Sequence, residues 1–283
     1  MKSTQAISAL RAISVGAAAI LATACYDDVT KPTVATNPPL AYTRFINAVN
    51  DTGPLDFRFI DQVDNSPIGL LVPFRGFTVY QATDASHARH MRVFWDIQAT
   101  GGIAGVVTTG QLADTTADFT AGTYYTIILR GPGSSPHWLI LKDNVGDYTE
   151  DPAKYQLRVV NLDTAAVDLF RARKTTDPLP TSAQWSNVAM GAATSYASFA
   201  LDTLDLRETV TGQTTPIRAD VSAPLGSPAD RLNNLTAIGG TMIGGSAVSA
   251  FVFGPSSTTS ASVAKFTSHG IVYIIDHHPK PTF

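Results

Sequence analysis

The residues best equipped for chemistry are few and scattered. His87 and His90 stand three apart in His87-Ala88-Arg89-His90, a spacing that can bring two imidazoles to one metal ion. Arg89 between them sets a cation where the ion would sit. A second pair, His277-His278, lies just before Pro279 near the end of the chain. Asp61, Asp64 and Asn65 put hard oxygen ligands in one loop, but without the alternating spacing of a calcium loop, so a solvated turn is expected there. No metal ligand set and no cofactor is assigned. Ser246 follows Gly244-Gly245, yet no Gly-x-Ser-x-Gly elbow occurs to expose a nucleophile on a strained turn. Gly101-Gly102 and Gly239-Gly240 are isolated turn signals, not the glycine fingerprint of a phosphate-binding loop. Asp56 and Asp168 are of the type that cleaves glycosides in pairs. Aromatic rings that could stack on a sugar are Trp95, Trp138 and Trp185, with Tyr80 and Tyr125. Of these, Trp185, Trp95 and Tyr80 are the ligand-binding candidates, and Trp185, in the loop-like stretch 182–187, is expected to be the most exposed. Cys25 is the only cysteine.

The elements that must carry these groups are strands. Residues 42–48 alternate with a period of two, Tyr42, Arg44, Ile46 and Ala48 on one face and Thr43, Phe45 and Asn47 on the other. Residues 55–60 alternate likewise. Tyr124 to Leu129 and Val248 to Phe253 are continuous β-branched and aromatic runs bounded by Gly-Pro, the pattern of buried strands. Almost no segment after Cys25 holds a capped apolar period of 3.6. The composition agrees: 34 threonines among 283 residues and only 15% charged residues, against about 25% in an average protein. The apolar share of 44% suffices for a core, which excludes a disordered chain. A net charge of −3 offers no basic excess for phosphates, so nucleic acid is not expected as a partner.

These strands are written twice. Arg44-Phe45-Ile46-Asn47 recurs as Arg158-Val159-Val160-Asn161, and Asp51 to Phe57 recurs as Asp163 to Leu169. Gly76 and Tyr80 find counterparts in Gly191 and Tyr196, the tyrosine shifted by one. The run from Gly122 to Pro132 recurs from Gly245 to Pro255, and both copies close with an apolar strand ending in Asp143 and Asp276. Five blocks in the same order indicate an internal duplication. The expected fold is all-β: two tandem antiparallel β-sandwiches of the immunoglobulin-like or transthyretin-like kind, at 41–146 and 153–279. The polar junction around Gly146 to Pro152 joins them, and 256–262 is a loop insertion in the second copy. Repetition of Arg44 and Arg158 beside Asp56 and Asp168 suggests an Arg–Asp pair across the sheet within each copy. It also leaves each acid alone in its own domain, which weakens the glycosidase reading.

The first 25 residues carry an address. Lys2 and Arg11 precede an uncharged, mostly apolar run from Ala12 to Ala24, long enough for a signal-peptide core and too short for a membrane span. The run ends in Leu21-Ala22-Thr23-Ala24-Cys25, which resembles the lipobox of bacterial lipoproteins, although Ala22 stands where that pattern prefers leucine. Residues 1–24 are therefore expected to be a signal peptide, and 25–40 an acylated cysteine followed by a proline-broken tether. Acylation would also dispose of an unpaired thiol in an exported protein.

Four strings in the first copy carry a further resemblance: Arg44-Phe45-Ile46-Asn47-Ala48, Leu55-Asp56-Phe57, Ala121-Gly122-Thr123-Tyr124-Tyr125-Thr126 and Leu139-Ile140-Leu141-Lys142-Asp143. Together they resemble the bacterial envelope family catalogued as domain of unknown function 4397, over 41–145 and more weakly over 155–278. Copy two departs at Gly245-Ser246-Ala247-Val248, where the aromatic residues are missing. The resemblance implies an exported, often lipid-anchored and tandem arrangement, and it supplies no catalytic residue. The functional expectation is a non-enzymatic, lipid-anchored cell-envelope protein for display, interaction or adhesion, on the outer membrane in particular. Its partners would be membrane lipid through acylated Cys25 and a glycan or envelope protein. The alternatives are a polysaccharide-binding module and, less favoured, an envelope hydrolase.

Overall fold

In the computed structural model, residues 37–62, 67–98, 107–143, 150–217, 221–233, 235–256 and 266–280 are described. The expected leader, Cys25 and most of the tether lie outside these residues, as do Asp64, Asn65, Gly101-Gly102, the start of the junction and most of the 256–262 loop. Pro39–Phe283 forms one compact unit. All regular elements among the described residues are strands, so the all-β expectation holds.

Each copy builds two sheets by the same route. In the first copy, β1 (Leu40–Val49) is flanked by β4 (Gln81–Asp84) and β7 (Tyr124–Gly131), and β8 (His137–Asp143) adds to β7, giving the order β4-β1-β7-β8. The other sheet has the order β3-β2-β5-β6, from β3 (Gly69–Val72), β2 (Leu55–Phe59), β5 (Arg89–Gln98) and β6 (Val107–Ala117). In the second copy, β12 (Ala197–Ala200), β9 (Lys154–Asn161), β14 (Ala247–Phe253) and β15 (Gly270–His277) repeat the first order. Facing them are β11 (Trp185–Val188), β10 (Val167–Ala172) and β13 (Asp205–Val210).

The antiparallel expectation needs one correction. β1 pairs with β7 in parallel, from Tyr42 opposite Tyr124 to Val49 opposite Gly131, and β9 pairs with β14 in parallel in the same way. The remaining strand pairs are antiparallel. Alternation of side chains records which faces are buried and is blind to the direction of the neighbouring strand. The chain between β1 and β7 visits the opposite sheet and returns, so the two strands enter their shared sheet from the same end.

The central sheets are buried on both faces. On β1, Ala41, Phe45 and Val49 pack with Phe57, Phe59, Val93, Ile127 and Leu129 in the first copy's own core. On β9, Tyr155, Leu157 and Val159 do the same with Leu169, Leu206, Val248 and Val252. The opposite faces of these sheets meet each other: Ile46, Ala48, Phe74 and Ile128 pack against Val160, Leu162, Phe251, Phe253 and Ile274. Four β layers thus share three apolar cores. This is why Tyr124–Leu129 and Val248–Phe253 read as unbroken apolar runs, as strands covered on both sides must. Gly122 and Gly245 open β7 and β14 at φ of 74° and 80°, a left-handed turn that repeats because both copies need it.

Candidate functional site

The period-two rule places Arg44 and Arg158 on the faces where the copies meet, and each arginine crosses to the other copy. Arg44 Nη2 donates to Asp276 Oδ1, and Arg158 Nη2 donates to Asp143 Oδ1. All four side chains are 4% exposed or less. Arg44 Nε donates to Thr126 Oγ1 at 2.8 Å, Arg158 Nε to Ser249 Oγ at 2.6 Å, each to the residue opposite it on the parallel neighbour. The other carboxylate oxygens are filled symmetrically. Tyr80 and Thr126 donate to Asp143 Oδ2 at 2.7 and 2.6 Å, while Tyr196 and Ser249 donate to Asp276 Oδ2 at 2.7 and 2.5 Å. The tyrosine rings complete it, lying under the Arg44 and Arg158 guanidinium carbons at 4.6 and 4.8 Å.

Electrostatics keeps this constellation static. Burial drives the Tyr80 and Tyr196 phenols far above their ordinary value, with Asp143 and Asp276 beside them adding to the push. Burial alone would lower Arg44 and Arg158. Asp276 beside Arg44 and Asp143 beside Arg158 outweigh it and hold both above the usual guanidinium value. The network holds fixed charges and committed donors, and what it can do is clamp two copies in one register.

The expected pairing of Arg44 and Arg158 with Asp56 and Asp168 is therefore corrected: the arginines point away from their own outer sheet. Asp56 instead accepts the Leu71 amide at 2.8 Å, and Asp168 accepts those of Asn187 and Gly212 at 2.6 and 2.9 Å. Leu71 and Asn187 have φ of 49° and 50°, so each repeated aspartate pins a left-handed turn.

The aromatic candidates are not brought together. Tyr80 belongs to the buried clamp. Trp95 lies in β5, half-buried against the first core, with its indole over Gly110, where any Cβ would strike Nε1. Trp185 opens strand β11 and does not lie in a loop. It is half-buried against the second core, with its ring 5.9 Å from that of Phe199 at 72°. The strand assignment fails from sequence because β11 is only four residues long. We expect Trp185→Ala to lower stability by about 2 kcal/mol, below the 3–5 typical of a fully buried tryptophan. Chemical denaturation measures this, and an unchanged midpoint would show that the ring contributes no packing.

The histidine pairs also separate. His87 approaches Asp61 at 3.3 Å, while His90 turns to Asp114 at 2.5 Å, with buried Arg89 bound to Asp61 between them. His277 contacts Glu150 at 2.8 Å and His278 Nδ1 accepts the Gly239 amide.

One cluster escapes sequence reasoning. Asp163, Glu208 and His269 converge at one end of the second copy, each offering one ligand atom within 4.8 Å of the others. Asp163 follows β9, Glu208 sits in β13 and His269 immediately precedes β15. His269 Nδ1 lies 2.9 Å from Asp163 Oδ2 and 3.4 Å from Glu208 Oε1. Burial pushes the Glu208 carboxyl up, and contact with Glu208 lifts His269. The only sequence signal is the alternation Leu204, Leu206, Glu208, which sets a carboxylate on an apolar face.

The fold and the clamp define the class: an all-β body in which repeated Arg, Asp and Tyr residues join two copies of one unit. Residues 41–170 match the family model described as "Domain of unknown function (DUF4397)", the family that the repeated strand motifs resemble. The match covers the first copy and continues through Arg158 into β10. A comparison with curated proteins gives no match.

Proposed function

We propose that this protein is a lipid-anchored, non-enzymatic scaffold of the cell envelope that displays loops for interaction or adhesion. In this reading 1–24 is a signal peptide, acylated Cys25 holds the chain in membrane lipid, and 25–40 is a tether. The copies at 41–146 and 153–279 are immunoglobulin-like or transthyretin-like sandwiches locked into one rigid body. The observation that carries it is the crossed Arg44–Asp276 and Arg158–Asp143 clamp. The charged groups that the two copies share are buried and spent on rigidity. A rigid body on a proline-broken tether suits presentation at a distance from a membrane, and the outer membrane is the favoured one.

Fractionation tests the anchor. The native chain is expected in the membrane pellet, and Cys25→Ala in the soluble fraction. A Cys25→Ala protein that stays membrane-bound would overturn the lipid anchor. Protease added to intact cells then assigns the face: digestion before lysis supports display outward, and protection until lysis rules it out in favour of an envelope-internal partner.

A further inference from the structure

The duplication supplies an internal control for the Asp163–Glu208–His269 cluster. Phe57 pairs with Val93 in the first copy, and its counterpart Leu169 pairs with Glu208, so Glu208 occupies the position of a fully buried valine. Leu129 pairs with Trp138 and Val252 with Ile271, which sets His269 at the position of Pro136. Asp163 corresponds to Asp51. One copy therefore has Asp, Val and Pro where the other has Asp, Glu and His. Two changes, far apart in sequence, meet at one point in space.

The result is costly without an occupant. Glu208 is 0% exposed, and neither of its carboxylate oxygens has a hydrogen-bond partner. Asp163 Oδ2 and His269 Nδ1 are buried and lack hydrogen-bond geometry as well. Asp163 Oδ1 is separately held by the Thr164 amide at 2.6 Å, which aims Oδ2 at the cluster. A buried carboxylate without donors is strongly destabilising, and the remedies are an ion pair or a bound cation; the single imidazole of His269, 2.9 and 3.4 Å from the two acids, balances at most one of their two negative charges. Arg75, reaching over from the first copy, senses both acids, but its Nη2 is committed to the Gly254 and Ser268 carbonyls at 2.7 Å each.

We propose that Asp163, Glu208 and His269 form a three-ligand site for one divalent transition-metal ion of the zinc class, present in the second copy alone. An ion about 2.1 Å from each ligand needs ligand–ligand gaps of roughly 3–3.5 Å, and the gaps from His269 Nδ1 are 2.9 and 3.4 Å. Imidazole with two carboxylates suits this class, whereas calcium requires six or more oxygens. Three protein ligands leave a fourth position for water or a small ligand. Access exists from both sides: Asp163 lines a cleft of about 310 Å³ with Phe74, Arg130 and Gly254, and His269 lines another with Arg75 and Phe266. Binding displaces any proton held by His269 or the acids, so it releases protons at neutral pH.

The test is equilibrium dialysis with Zn²⁺, with Tm measured in parallel, on the chelator-stripped full chain carrying Cys25→Ala so that no thiol competes. The expected result is one Zn²⁺ per chain and a Tm that rises with free Zn²⁺. His269→Ala and Glu208→Val should each weaken binding by about 100-fold or more, beyond the 10–100-fold typical of losing an outer-shell partner. Valine at 208 is the residue that the first copy already packs there, so this variant should fold and match or exceed the Tm of the metal-free parent. If it does not fold, His269→Ala, at a partly exposed position, decides alone. His137→Ala, beside the cleft, should leave binding unchanged. No saturable Zn²⁺ uptake, uptake that survives both ligand variants, or preference for Ca²⁺ over Zn²⁺ would each overturn the proposal.

Discussion

Asp143→Ala will destabilise the protein by about 3–5 kcal/mol, the cost of stranding a buried charge. The variant removes the acceptor of Arg158 in the other copy and orphans the Tyr80 and Thr126 hydroxyls at the same time. For a unit of this size, the loss lowers Tm by on the order of 10 °C. Asp143→Asn keeps an acceptor for Tyr80 and Thr126 and should lose less. The double variant Asp143→Leu/Arg158→Met removes both charges together and should recover much of the loss, because well-packed apolar groups commonly replace a buried ion pair at little cost. Urea denaturation of the four proteins measures the series. A loss below about 1 kcal/mol in Asp143→Ala would mean that Arg158 finds water or another partner and that the crossed pairs are not a clamp. Arg44→Ala combined with Asp143→Ala should be non-additive, since the Tyr80 ring lies against Arg44 while its hydroxyl binds Asp143.

Phe251→Ala is expected to cost a similar 3–5 kcal/mol through a cavity in the layer between the copies. Phe251 is 0% exposed and packs among Ile46, Ile128, Val160 and Phe253, with the Arg44 guanidinium 5.8 Å from its ring. Its distinguishing consequence is cooperativity. Phe57→Ala empties a site inside the first copy's own core and should lower a single transition of the whole unit. Phe251→Ala weakens the layer that couples the copies, so its unfolding should broaden or divide into two steps while each copy keeps its own core. Calorimetry separates these outcomes. A single sharp transition at an unchanged midpoint would show that the middle layer carries no coupling.

Much of this architecture is legible in the residues. Alternation from Tyr42 to Ala48 identifies which side chains of β1 share a face, and the recurrence of Arg44 as Arg158 and Asp143 as Asp276 marks four positions that both copies need. Even the one-residue shift between Tyr80 and Tyr196 does no harm, because loops absorb it and both hydroxyls reach the same kind of carboxylate. The expected intra-copy pairing failed for a definable reason. A period of two says that Arg44 lies opposite Phe45 across the strand, but not which sheet covers that side. Asp56 is 12 residues from Arg44 and Asp276 is 232 away, yet the distant one is the partner. Trp185 misled because a four-residue strand has too few alternations to stand out from a loop.

What the sequence alone determined is the duplication, the all-β character, the strand faces and the expectation of export and anchoring, since these rest on local spacing and composition. The tertiary structure decided that the copies face each other across a third core, that their arginines trade partners, and that Glu208 and His269 meet Asp163 at one point. Those facts depend on which surfaces are pressed together and in what register. Contacts between residues more than a hundred positions apart are set by the packing of whole sheets, and local spacing carries no record of it.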